Sequence, residues 1–435
     1  QAGISEGSKD DFYARVLGKK NTLEGLASSV RGAVRFVRET CYAILYCMTR
    51  LDTHFYGFLE LPTPLAEALF ADSLYLSSHQ VINLLTLSRF LVDHCPLPLR
   101  EHFLPPILAT CFRQMDAKIS SEWEKLGQRE TVQAVGEELT EEMKAESILR
   151  QLTYSAVVMV ADVLDPARPE GPPGEAEGSE TPADPPGKFP PLRKFCLMNP
   201  SIAVPLLVFC SHAIRMHDGR CCGVVLRVFR SIIPEFSTPE IAKLHHKEHH
   251  HHFSGSTGTT AAAGAPFSDG FAIPVATAHE IREFICAEVL KAAIQSLHDP
   301  YFVDSQKEIG ALIAAILAYY SPLTPTPRAI LLSLPSVKPA EVDRTIEYVC
   351  KGGVSSRHQR AMVLELLEEL KGVSVAEMGK LEKSGASKKK GRSKMAQEFM
   401  TPGGGQQPGG QVGSAPGQRE KTPDLEGVAG MFNEG

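Results

Sequence analysis

Residues 77–95 read SSHQVINLLTLSRFLVDHC. Val81, Leu84, Leu85, Leu87, Leu91 and Val92 recur there at steps of three and four, so a helix gathers them on one broad apolar surface. Ser77 and Ser78 stand where a hydroxyl can accept from the first unpaired backbone N–H groups of that helix. The stretch predicts an amphipathic helix with one side to bury. The flanking sequence supplies its neighbours. Upstream, Val30, Val34, Val37, Cys41, Ile44, Leu45 and Met48 build a second apolar helix face. Downstream, a helix runs from about Leu99 to Leu126, and Pro105 and Pro106 are expected to break or kink it near its start, because proline has no N–H to donate. A fourth runs from about Thr140 to Leu164, with Glu141 and Glu142 well placed in its first turn.

The pattern repeats to the far end. Helices are expected at 200–216, 219–233, 274–298, 303–320, 326–334, 339–351 and 356–383. No sustained period-two alternation and no Asn-Gly hairpin turn argues for strands. About a dozen helices joined by short proline-containing turns predict an all-α protein, an α-solenoid of antiparallel helix pairs in which each pair buries its face against its neighbours. The poor period fits degenerate HEAT-like repeats better than TPR or ankyrin units. A compact α-bundle enzyme is the structural alternative.

Two inserts and a tail interrupt this pattern. Helical repeats are read at 1–164, 188–244 and 271–383. Segment 165–187 holds six acids among many prolines and glycines, too little apolar area to offset the entropy of ordering, and reads as a disordered loop. Segment 245–270 is histidine-rich, then Gly/Ser/Thr/Ala-rich, and reads as a disordered insert, as does the basic, then Gly/Pro/Gln-rich tail 384–435. The chain has 435 residues, 43% apolar and 22% charged, with a net charge of −6, which argues against a basic nucleic-acid coat but leaves room for a local basic patch. No apolar run of membrane-spanning length is free of charge, so no membrane partner is expected. The chain opens on Gln1 rather than a methionine and reads as a fragment or processed form.

Few residues invite chemistry. The ten cysteines form no CxxC pair and read as buried, reduced thiols. The run His245, His246, His249, His250, His251 and His252 could take up a divalent metal, but it lies in low-complexity sequence, so it reads as an adventitious binder and no metal site is assigned. There is no GxSxG, GxxxxGK[ST], HExxH or strand-linked GxGxxG, and Gly403–Gly405 lies in the tail. A binding scaffold is therefore expected, not an enzyme, with no catalytic residues and no cofactor. Trp123, the one tryptophan, reads as a packing anchor. Arg31, Arg35 and Arg38 fall at steps of four and three, after Lys19 and Lys20. They form either a solvated helix face or a stripe facing phosphates or an acidic partner. Lys388, Lys389, Lys390, Arg392 and Lys394 cluster on the tail as a nuclear-localisation-like segment, an RNA contact or a solubilising run.

Four stretches carry a family likeness. They are VLGKKNTLEGLASSVRGAVRFVRETCYAILYCMTR (16–50), KISSEWEKLGQRE (118–130) followed by an acidic linker, ILRQLTYSAVVMVADVL (148–164) and the ending GVAGMFNEG (427–435). In that order they resemble the C-terminal part of the exportin-5 family of karyopherin-β nuclear transport receptors, in its fungal form. The resemblance implies a HEAT-repeat receptor that binds Ran-GTP and cargo together in the nucleus, shuttles past nucleoporins and releases cargo in the cytoplasm after Ran hydrolyses GTP. It implies cargo of phosphorylated proteins or structured double-stranded RNA, and GTP held by Ran, not by this chain. Its contact residues follow no motif that aligns by position, so Lys19, Lys20, Arg31, Arg35 and Arg38 stand on helix geometry alone. A Ran-independent HEAT scaffold or assembly adaptor is the alternative.

Overall fold

The helix expected from SSHQVINLLTLSRFLVDHC forms as Ser78–Asp93. Ser77 is its cap: its hydroxyl accepts from the Gln80 backbone N–H while the Gln80 side chain reaches back to the Ser77 N–H. Val81, Leu84 and Leu91 are wholly buried. The computed structural model describes residues 23–128, 141–168, 188–246, 269–335 and 337–368. Lys19, Lys20, His249 to His252, the five basic tail residues and the ending 427–435, all singled out in the sequence, lie outside the described residues, as do the greater part of both inserts and the tail.

Fifteen helices carry the fold among the described residues, a single helical turn at Thr53–Tyr56 aside. They are α1 Leu23–Met48, α2 Pro62–Phe70, α3 Ser78–Asp93, α4 Arg100–Gly127 and α5 Glu141–Val163. Then come α6 Leu192–Met198, α7 Pro200–Ala213, α8 Gly219–Ile232, α9 Pro239–His246 and α10 Val275–Phe284. A π turn at Ile285–Val289 joins α10 to α11 Leu290–His298. The last four are α12 Gln306–Tyr320, α13 Thr326–Leu332, α14 Pro339–Cys350 and α15 Ser356–Leu366. No strand occurs among the described residues.

Their packing alternates. One layer runs α1, α3, α5, α8, α12, α15, each helix against the next in that order. The other runs α2, α4, α7, α10–α11, α13, α14 in the same manner. Successive helices in the chain cross between layers, as α4 to α5, α11 to α12 and α14 to α15. This is a HEAT-type solenoid, since each helix pair buries its faces against the pairs before and after it. The core between the layers is continuous, from Phe103, Ile107 and Leu152 through Leu206, Val225 and Phe229 to Ile313 and Leu317, all wholly buried. Buried polar groups tie repeats together: the Tyr56 hydroxyl donates to the Leu91 carbonyl at 3.1 Å and the Tyr320 hydroxyl to the Ile233 carbonyl at 2.8 Å.

Several expectations need correction. Helix α4 runs unbroken through Pro105 and Pro106. Phe103, Leu104, Ile107 and Leu108 are wholly buried around them and hold the turn whose hydrogen bonds the prolines cannot make. The apolar face at the start of α1 is not in the core: Val30, Val34, Val37 and Ile44 are exposed. Tyr42, Leu45, Tyr46 and Met48 are the apolar side chains of α1 that pack on the core, and α3 is its neighbour in the layer among the described residues. Cys41 and Cys47 are exposed with it, whereas Cys350 is half-buried and the other seven are buried. Helices α2, α6 and α9 were not expected. Prolines in the first turn start α2, where the missing N–H costs nothing. His245 and Asp269, read from the sequence as ends of the insert at 245–270, are packed residues of the fold. Among the described residues no single helix is long and apolar enough to cross a membrane. The bent pair α6–α7 is apolar because it is core.

Candidate partner-binding surface

The layer that begins with α1 carries the cations singled out in the sequence. Arg31 and Arg35 are exposed on α1, and Arg35 lies 3.9 Å from Glu39 one turn on. Arg38 shares their face but is half-buried. The helix thus brings the three arginines together, with two of them open to a partner.

Farther along the same layer, α8 presents Arg220, Arg227 and Arg230, seven and three residues apart and so on neighbouring lines of one face. The Arg220 guanidinium lies over the Tyr154 ring of α5 at 4.0 Å, and Arg230 pairs with Glu308 of α12 at 3.0 Å. Arg227 is exposed. Sequence reading passed over this set, although the spacing that singled out Arg31, Arg35 and Arg38 was legible here too.

Other charged residues hold repeats together. Arg150 of α5 takes Glu146 at 2.7 Å, the His217 carbonyl at 2.5 Å and the Tyr301 hydroxyl at 3.4 Å, and lies 5.3 Å from the Trp123 ring. Trp123 donates to Thr153 at 2.9 Å, the packing role expected of it. Arg193 donates to the Leu164 carbonyl at 2.6 Å and the Ser231 carbonyl at 2.7 Å, so one guanidinium closes the C-terminal ends of α5 and α8. Beside it, Lys194 is almost wholly buried and meets Glu235 at 2.5 Å and Asp269 at 3.4 Å.

Burial pushes the Cys95, Cys111 and Cys286 thiols up to about 12 and Cys350 up to about 11, so they stay protonated and unreactive. No group of three metal-ligating side chains occurs among the described residues. An apolar cleft of about 330 Å³ between the start of α4 and the approach to α6 is walled by Leu97, Pro98, Phe189, Pro190 and Phe195, with Arg100 and Glu101 at its side.

The sequence matches the Exportin-5 family over residues 1–248 and 273–384. It is 27% identical over 348 residues to an uncharacterised protein of Schizosaccharomyces pombe, covering 77% of this chain and 25% of that protein. It is 25% identical over 232 residues to Protein MSN5 of Saccharomyces cerevisiae, covering 51% of this chain and 18% of the relative. It is 22% identical over 373 residues to Protein HASTY 1 of Arabidopsis thaliana, covering 80% of this chain and 27% of the relative. The chain thus spans about a quarter or less of the length of these relatives. No solved structure matches.

Proposed function

Because this chain belongs to the exportin-5 family, we propose that it is the C-terminal solenoid of a Ran-GTP-dependent nuclear export receptor. The observation that carries the reading is the family match over residues 1–248 and 273–384, which takes in the two-layer HEAT stack. Such a receptor binds Ran-GTP and cargo with a favourable coupling free energy between two sites, and GTP hydrolysis on Ran removes that coupling in the cytoplasm. Direction comes from Ran's nucleotide, so this chain needs no cofactor and no catalytic group of its own. The receptor shuttles between nucleus and cytoplasm and touches nucleoporins on the way.

Cargo is phosphorylated protein, structured double-stranded RNA, or both. Each would be gripped through phosphate oxygens by lysine and arginine. The exposed arginines of α1 and α8 are proposed to make such contacts, with Lys19, Lys20 and the basic tail from Lys388 to Lys394 adding to them. The test is pull-down of Ran-GTP by the full-length protein at low salt with cargo present. Retention supports the receptor reading. Failure to retain Ran-GTP leaves a HEAT scaffold without Ran dependence.

A further inference from the structure

Helix α1 carries an apolar stripe that stays uncovered among the described residues. Leu23, Leu26, Val30, Val34 and Val37 follow one another at steps of three and four, and each is more than half exposed. Tyr42 and Tyr46, which pack on the core, lie roughly 100–160° round the helix axis from Leu23, Leu26 and Val30. The stripe is therefore a second apolar face, not the edge of the first. A contiguous apolar patch of this kind marks a contact site. Ala27, Val34 and Cys41 widen it on one side beyond the narrow seam of a two-stranded coiled coil. Its breadth is that of a face buried within a helical stack.

We propose that residues 11–17 of the same chain cover Leu23, Leu26 and Val30 as the other arm of a helical hairpin. Phe12, Tyr13, Val16 and Leu17 fall at steps that gather them on one side of a helix. Asp10 and Asp11 precede them as cap acceptors, and Gly18 follows as a stop. Residues 18–22 then make a connection of a length usual between antiparallel helices. Paired about that turn, Leu17 comes level with Leu23 and Tyr13 with Leu26, at a rise of about 1.5 Å per residue on each arm. The short tether gives the segment an effective concentration of about millimolar, which a free partner or a second copy would have to exceed. Arg31 and Arg35 point roughly 80–180° away from Leu23, Leu26 and Val30 and stay open. The hairpin goes beyond the receptor reading: it gives α1 one face closed within the chain and one that is basic and free.

The test uses the full-length protein with the exposed Cys41 and Cys47 changed to serine. Tyr13→Cys paired with Leu26→Cys should form an intramolecular disulfide on mild oxidation, because the hairpin brings the two positions within disulfide reach. Tyr13→Cys paired with Ile44→Cys should not, since Ile44 lies about 27 Å farther along α1 than Leu26. A second variant reads the contact without a cross-link. Val16→Asp sets a charge against the stripe and should quicken hydrogen exchange of residues 23–30 about fivefold or more. Exchange in α3 should stay as it was, which also shows that the variant folds. Absence of the disulfide between positions 13 and 26, an equal yield with Ile44→Cys, or exchange indifferent to Val16→Asp overturns the hairpin. Disulfides that form between molecules overturn it too, and place a second copy on the stripe.

Discussion

Glu235 stands between two cations that water barely reaches: Lys194 at 2.5 Å and Arg193 at 3.5 Å. Its removal leaves both charges buried, with Asp269 as the remaining carboxylate beside Lys194. Glu235→Ala is therefore expected to cost about 3–5 kcal/mol, read from urea unfolding followed by circular dichroism. A change below 1 kcal/mol would mean that solvent reaches the cluster. His245 gives a pH prediction of definite sign. Burial lowers its pKa below the ordinary value, so the folded chain keeps the ring neutral where the unfolded chain takes a proton. The stability it supports is complete above about pH 6.5 and is lost as pH falls from there toward the folded-state value. Arg230, Arg360 and Tyr319 face it and add no negative charge that would reverse the sign. Melting temperatures at pH 7.5 and 5.5 should fall less for His245→Phe than for the parent. An equal fall in both would place the titration elsewhere.

At the scale of elements, α12 and α15 meet where a side chain is missing. A Cβ built on Gly310 would lie 2.7 Å from Leu364 Cδ2. Gly310→Val should push α15 away and cost about 1–3 kcal/mol. In a stack of nearest-neighbour contacts the loss stays local. Hydrogen exchange should thus quicken in α12, α14 and α15 and leave α3 and α4 unchanged. Faster exchange throughout would mean the repeats unfold as one unit. On α1, Arg31→Glu with Arg35→Glu should weaken an acidic partner and flatten the salt dependence of its binding, because both side chains are open. Arg38 belongs outside that test, half-buried as it is. Unchanged affinity would leave the stripe a solvated face.

These elements also show what a sequence discloses. Helix α3 was readable whole, because its cap and its apolar period agree. The exposed start of α1 was not, since periodicity says that a face is apolar and not what lies against it. The π turn at Ile285–Val289 and the run of α4 through two prolines depend on neighbouring helices. The cationic stripe on α1 was legible as spacing. The packing of His245 against Tyr319 was not: the histidine stood in a run that composition assigned to an insert.

At the scale of the whole molecule, the insert is separable only between its packed ends. Deleting residues 247–268 should leave helix content and melting temperature unchanged, because such composition buries little. Extending the deletion to 245–270 removes His245 from beside Tyr319 and Asp269 from beside Lys194, and should lower the melting temperature by several degrees. Equal melts for the two deletions would contradict the packing described at both ends.

The receptor reading joins these scales, since a local stack serves export only if cargo affinity depends on a second ligand. The direct measurement is binding of phosphorylated peptides and of structured RNA to the full-length protein, with and without Ran-GTP. The account predicts cargo binding that strengthens at least severalfold when Ran-GTP is present. Binding that is the same with and without Ran-GTP would contradict it.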